Sequence, residues 1–165
     1  MADTEMNTQQ EQQGEERSPE QVNYDLIGQY LNGKGEEKPG YARKLICNLD
    51  NKLPYVDIIV RAYSQGYGAV LQFPVNSGKN ETEPQVIRLL TRINDNMKFG
   101  QFNYDLDTGN VYFKYSSLTL PEGDLFNFSL QLGIRMVESY GDAILAVMFG
   151  LMSADEAYEN AKRKN

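Results

Sequence analysis

The 165-residue chain carries 16 Lys and Arg against 23 Asp and Glu, for a formal charge of −7, and is 41% hydrophobic, which suits one globular domain with a real core. It has no histidine and one cysteine, Cys47, which excludes Ser-His-Asp and Cys-His catalysis, histidine zinc sites, cysteine metal clusters and intrachain disulfides. The acidity is uneven: residues 1–20 balance at −5, leaving −2 on the other 145, and this near-neutral remainder lacks the clustered basic face that nucleic acid requires.

Residues 1–17, MADTEMNTQQEQQGEER, are too polar to offset their ordering entropy and are expected to be a disordered, acidic and Gln-rich tail. A single α+β domain is expected over 18–165. The start of the chain lacks the basic and apolar segments of a signal peptide. Its most apolar run, Ala143 to Met152, is about half the length of a membrane-spanning helix. A cytoplasmic protein with neither nucleic acid nor membrane as partner is expected.

Ser18-Pro19-Glu20-Gln21 sets an N-cap hydroxyl, proline at the first helical position and a capping-box partner. Val22, Leu26, Ile27, Tyr30 and Leu31 follow as one stripe, and Gly33 ends the helix. GKGEEKPG reads as a loop. Three strands are predicted next, over Arg43–Leu49, Tyr55–Tyr63 and Tyr67–Val75. Their connections are too short for helical crossovers, so the sheet should be antiparallel. A helix begins at Glu83-Pro84, with Val86, Ile87, Leu90, Ile93 and Met97 as its stripe. Phe102, Tyr104 and Leu106 alternate with polar residues, and after a turn at Asp107–Asn110 a strand returns over Val111–Leu120.

Asp124 is the expected cap of the longest apolar-rich segment, Leu125–Phe149, where Phe126, Leu130, Val137, Tyr140, Ile144 and Val147 form a helical stripe. Gly133 suits close packing, and Gly141-Asp142 reads as a break. The piece beyond it, Ala143–Phe149, is apolar nearly all round. It must be enclosed by the final helix or by a second subunit, and a dimer contact is expected there. Ser153-Ala-Asp-Glu156 is a complete capping box for a last amphipathic helix. The expected order is α-βββ-α-ββ-α-α, with an antiparallel five-stranded sheet.

No motif assigns catalytic, metal-binding or cofactor-binding residues. Asp105-Leu-Asp107-Thr-Gly109-Asn110 resembles the start of a calcium loop but lacks the sixth-position glycine and the twelfth-position glutamate, so a β-turn is the better reading. Glu138 and Asp142, four apart, read as a solvated face, and Cys47 as a small buried hydrophobe. Tyrosines are prominent on the predicted strands: Tyr55, Tyr63, Tyr67, Tyr104, Tyr112 and Tyr115. Tyr112 and Phe113 cannot enter the same core, so the sheet carries aromatics on both faces and is either covered twice, by ordinary packing or a homodimer, or used as a partner surface.

The element order, with its long late helix, resembles the type III secretion chaperone-like fold. Lys98-Phe-Gly100-Gln-Phe102, the Asp107-Thr-Gly109-Asn110-Val111 tip, Tyr140-Gly-Asp-Ala-Ile-Leu-Ala-Val-Met-Phe-Gly150 and Ser153-Ala-Asp-Glu-Ala157 together resemble the YbjN family of bacterial sensory transduction regulators. The resemblance implies a two-layer sandwich with helices packed on the sheet, frequent homodimers, and a non-enzymatic protein that works by binding another protein as a chaperone or regulator. It carries no catalytic residues. The candidate protein-binding or dimer surface is Tyr104, Tyr112, Tyr115, Ile144, Val147 and Met148. The alternative expectation is a small-molecule sensor with its ligand between sheet and central helix.

Overall fold

A computed structural model of the protein describes residues 17–76 and 81–164. The expected tail, apart from Arg17, lies outside the described residues. In chain order the elements are α1 (Pro19–Tyr30), β1 (Glu36–Lys38), β2 (Ala42–Asn48), β3 (Tyr55–Tyr63), β4 (Gly66–Asn76), α2 (Glu83–Asn94), β5 (Gln101–Tyr104), β6 (Asn110–Ser117), α3 (Gly123–Met148) and α4 (Ala154–Lys164). The fold is α+β, with an open antiparallel sheet in the order β1-β2-β3-β4-β6-β5.

The sheet has six strands, not the expected five. The additional strand, β1, lies in the segment whose composition reads as loop. Three polar residues carry no apolar period, and β1 exists only through its pairing with β2, Lys38 opposite Ala42. Gly40 and Tyr41 turn the chain between them with φ of 73° and 55°, conformations that glycine adopts freely and tyrosine rarely.

The helix starts follow local chemistry. Ser18 Oγ accepts the Gln21 N–H at 3.2 Å, while the Gln21 side chain turns to Asp25 instead of completing a box. Before α4 the box is reciprocal: Ser153 Oγ accepts from the Glu156 N–H at 3.3 Å, and Glu156 Oε2 accepts the Ser153 N–H at 3.0 Å. Asp124 is not the cap of α3; Glu122 holds that position, and Asp124 sits in the first turn, where a carboxylate favours the helix dipole.

The core lies between one sheet face and the helices. Leu45, Ile58, Leu71, Phe113 and Phe102 face one another across five strands, and next to them run Arg43, Val60, Ala69 and Tyr115. Ile27 of α1, Leu89 and Ile93 of α2, and Phe126, Val137 and Ile144 of α3 close over these rows. The opposite sheet face, with Ile46, Asp57, Gln72 and Tyr112 in one row and Lys44, Ile59, Val70 and Lys114 in the next, is half-buried to exposed.

Helix α3 runs unbroken through Gly141-Asp142, where a break was expected. Asp142 caps no new helix. Its Oδ1 accepts the Lys52 N–H at 2.9 Å, and Asn51 Nδ2 donates to the Glu138 carbonyl at 3.2 Å. A Cβ on Gly141 would stand 3.2 Å from Leu53 Cδ2, and Leu53 is wholly buried. The glycine admits the β2–β3 loop onto the helix, and the aspartate fastens it there.

Candidate functional site

The six residues expected to form a partner surface do not come together. Ile144, Val147 and Met148 are at most 1% exposed, buried in the last turns of α3 where α2 and α4 both pack against it. The chain itself supplies the enclosure, so these three cannot be a dimer contact. Tyr115 is 4% exposed and faces the core, pairing with Ala69 and stacking on Phe99 at 4.8 Å between ring centroids. Its hydroxyl is buried with no hydrogen-bond partner among the described residues, and burial pushes its pKa well above the ordinary tyrosine value, with nearby Tyr67 adding to the shift. Tyr112 faces the open side of the sheet opposite Gln72, as alternation with the buried Phe113 requires. Tyr104, half-buried at the end of β5, donates to Glu83 Oε2 at 3.3 Å.

The sheet edges are short, and each is guarded in its own way. At β5, Asn94 of α2 binds both the N–H and the C=O of Phe102. At the other edge, β1 is three charged residues long, with Lys38 paired to Glu36 and Arg43 to Glu37. Short, charged or covered edges resist strand addition.

Exposed apolar side chains collect instead at the two ends of α3. Ahead of and within its first turns stand Leu118 (89% exposed), Leu120, Leu125 and Phe128 (64% exposed). Leu125 and Phe128, three apart, share one helix face. At the far end Phe149, Leu151 and Met152 are also exposed. Beneath the first cluster, Tyr30 donates to the Pro121 carbonyl at 3.1 Å, which fixes the entry to α3.

Helices α3 and α4 border an open hollow of about 340 Å³. Half-buried Ala143 and Ala146 of α3 form its apolar floor, above the buried Ala157 and Ala161 of α4, with Met152 at one end. Lys52, Arg163 and Lys164 stand at the rim with Glu138 and Asp142. The space between sheet and central helix, where a ligand was the alternative expectation, is filled by Tyr67, Leu71, Phe113 and Phe126, all at most 1% exposed.

Other groups have structural partners. Asp105 Oδ1 accepts the N–H groups of Asp107 and Thr108 at 2.8 and 3.1 Å, so the calcium-like segment is a turn closed on its own carboxylate. Asp155 of α4 meets Arg88 and Arg92 of α2. The hydrogen bond from Arg88 first, then that from Arg92, holds its carboxyl below the ordinary aspartate value. Cys47 is half-buried; desolvation, and secondarily the charge of Glu138, pushes its thiol up and away from the reactive thiolate. Among the described residues no three His, Cys, Asp or Glu side chains converge to hold a metal ion, and no helix is long and apolar enough to cross a membrane.

Three features escaped the sequence. Asn94 belongs to the polar side of its helix and gives no sign of the strand it binds. Arg43 stands on the core face of β2, its guanidinium 4.9 Å over the Tyr24 ring and against Gly28, a placement that β2 alternation alone suggests. The hollow left one readable signal, in that the buried residues of α4 are all alanine. No family model, curated protein or solved structure matches the chain.

Proposed function

We propose that the protein is a non-enzymatic, cytoplasmic protein-binding module, chaperone-like or regulatory in role, whose partner docks on the start of α3. The observation that carries this reading is the cluster Leu118, Leu120, Leu125 and Phe128, four exposed apolar side chains between positions 118 and 128. Scattered single apolar residues are ordinary on a surface, whereas several gathered on the loop into a helix and on its first turns are the usual mark of a protein contact. Phe128 is the natural anchor, because aromatic side chains carry a large share of interface energy. The resemblance to the YbjN family points the same way, and it adds a second copy of the chain as one partner that such a surface would accept. The short, charged edge of β1 and the Asn94-covered edge of β5 turn the reading away from strand addition and toward side-chain docking.

The test replaces Phe128 with a photoreactive residue and, as a control, does the same at exposed Lys98. A partner captured at 128 and absent at 98 is then purified and its affinity measured for the native chain and for Phe128→Ser. A loss of about tenfold or more, the effect of a hot-spot side chain, with an unchanged melting temperature supports the proposal. Equal capture at both positions, or unchanged affinity on substitution, rejects it. Capture of the chain by itself, with a doubled mass in solution, identifies the partner as a second copy.

A further inference from the structure

The hollow between α3 and α4 stands apart from that surface, near the opposite end of α3, and its origin is visible in residue choice. Two packed helices normally fill the space between their axes with long apolar side chains. Here every buried residue of α4 is an alanine, Ala154, Ala157 and Ala161, and Ala143 and Ala146 face them from α3. Helix α4 packs directly on α3 and is anchored as well on a third helix, α2. The salt bridges of Asp155 to Arg88 and Arg92 tie α4 to α2, and the Ala154 N–H donates to Gln85 Oε1 at 3.0 Å. A volume of about 340 Å³ falls in the range of small-ligand sites, about 300–1,000 Å³.

The rim charges define the ligand. Lys52, Arg163 and Lys164 border the hollow, and none has an ion pair among the described residues. Lys52 is placed there by its backbone, bound through its N–H to Asp142 Oδ1 at 2.9 Å. Two carboxylates, Glu138 and Asp142, border the same space. Three cations against two anions leave one positive charge in excess, which suits a single negative charge and disfavours a polyanion.

We propose that this hollow is a binding site for a small amphipathic monocarboxylate. Its short apolar body lies against Ala143, Ala146 and Met152, and its carboxylate meets Lys52, Arg163 and Lys164. Met152, whose Sδ accepts from Asn160 Nδ2 at 3.6 Å, is the adaptable wall at the mouth, since a thioether chain repacks around different apolar shapes at little cost.

The test uses octanoate, octanol and octylammonium as probes of the full chain, read by the alanine methyl signals in NMR spectra. Octanoate should shift the Ala143 and Ala146 methyls saturably, with octanol and octylammonium about tenfold weaker, the effect of one favourable charge contact. Exposed Arg163 and Lys164 should tolerate replacement, so Arg163→Glu with Lys164→Glu should fold normally and bind octanoate no better than octanol. Ala146→Phe should fill the hollow and abolish binding of all three probes. The inference is overturned if the alanine methyls stay unmoved at millimolar octanoate, if octylammonium binds as well as octanoate, or if the charge-reversed chain keeps its preference. Shifts confined to Leu125 and Phe128 also overturn it, because they would place the probe on the exposed cluster.

Discussion

The side-chain amide of Asn94 holds both backbone groups of Phe102: Nδ2 donates to the carbonyl at 2.8 Å and Oδ1 accepts the N–H at 2.8 Å. Phe102 lies opposite Phe113 of β6, and its own peptide groups point outward, where another strand would join. One side chain thus imitates the next strand. Asn94→Leu removes both bonds and leaves part-buried peptide groups unpaired, at a cost of about 1–3 kcal/mol. Urea denaturation should show a lower midpoint, and sedimentation a mass that rises with concentration as β5 edges pair. Asn94→Asp, which keeps the acceptor, should be milder. An Asn94→Leu protein whose mass matches that of the native chain at every concentration would show that the edge needs no such cover.

Gly133 is a point of close approach between α3 and the sheet. A Cβ there would meet Tyr115 Cε1 at 3.2 Å, Leu71 Cδ1 at 3.5 Å and Phe113 Cε1 at 3.6 Å, and the Tyr115 ring is itself backed by Phe99. Gly133→Val therefore overpacks a closed site and should cost about 1–3 kcal/mol. Gly133→Ala adds a single methyl, and its better helix propensity returns roughly 1 kcal/mol, so its melting temperature should stay near that of the native chain. Equal melting temperatures for all three would mean that the helix lifts freely from the sheet.

The elements with strong local signals were legible in the sequence. The strand over Tyr55–Tyr63 is found with the expected bounds, because six of its nine residues are β-branched or aromatic. The Ser153–Glu156 box forms as its spacing requires. The errors arose where tertiary contact outweighed local pattern. Gly141-Asp142 has the composition of a break, yet the β2–β3 loop docks on it through Leu53 and Lys52, a partner ninety positions away. β1 is made by its neighbour and not by its own residues. An all-round apolar run such as Ala143–Phe149 shows that burial is needed but not what provides it; α2 and α4 bury Ile144, Val147 and Met148, while Phe149 stays exposed. Exposed Leu118 and Phe128 gave no warning, since periodicity does not distinguish a solvent-facing apolar residue from one at the margin of a stripe.

Asp155 links α4 to α2 through Arg88 and Arg92, and its carboxyl titrates below the ordinary aspartate value, chiefly through the Arg88 hydrogen bond. A depressed folded-state value means that the group stabilises the fold above the unfolded-state pKa, and that this contribution fades as pH falls through the folded-state one. Asp155→Asn should therefore lower the melting temperature slightly at neutral pH. The difference from the native chain should shrink below about pH 4, near the unfolded aspartate value, and in high salt, because the pair is solvent-exposed. A difference independent of both pH and salt would assign the effect to helix propensity and not to charge.

Tyr67 and Tyr115 lie under the same part of α3, and their hydroxyls are in opposite conditions. The Tyr67 hydroxyl meets Ser129 Oγ at 3.2 Å, and Ser129 Oγ in turn donates to the Leu125 carbonyl at 2.8 Å, which makes a short buried chain between sheet and helix. The Tyr115 hydroxyl has no partner among the described residues, so it bears a desolvation cost without a bond to offset it. Removing each hydroxyl should act in opposite directions. Tyr67→Phe should lose about 1 kcal/mol, whereas Tyr115→Phe should keep the native stability or gain up to about 1 kcal/mol. Both rings keep their packing against Phe126 and Phe99, so the comparison isolates the oxygens. Chemical denaturation of the two variants checks it, and a Tyr115→Phe protein less stable than Tyr67→Phe would place a bonded partner at the Tyr115 oxygen.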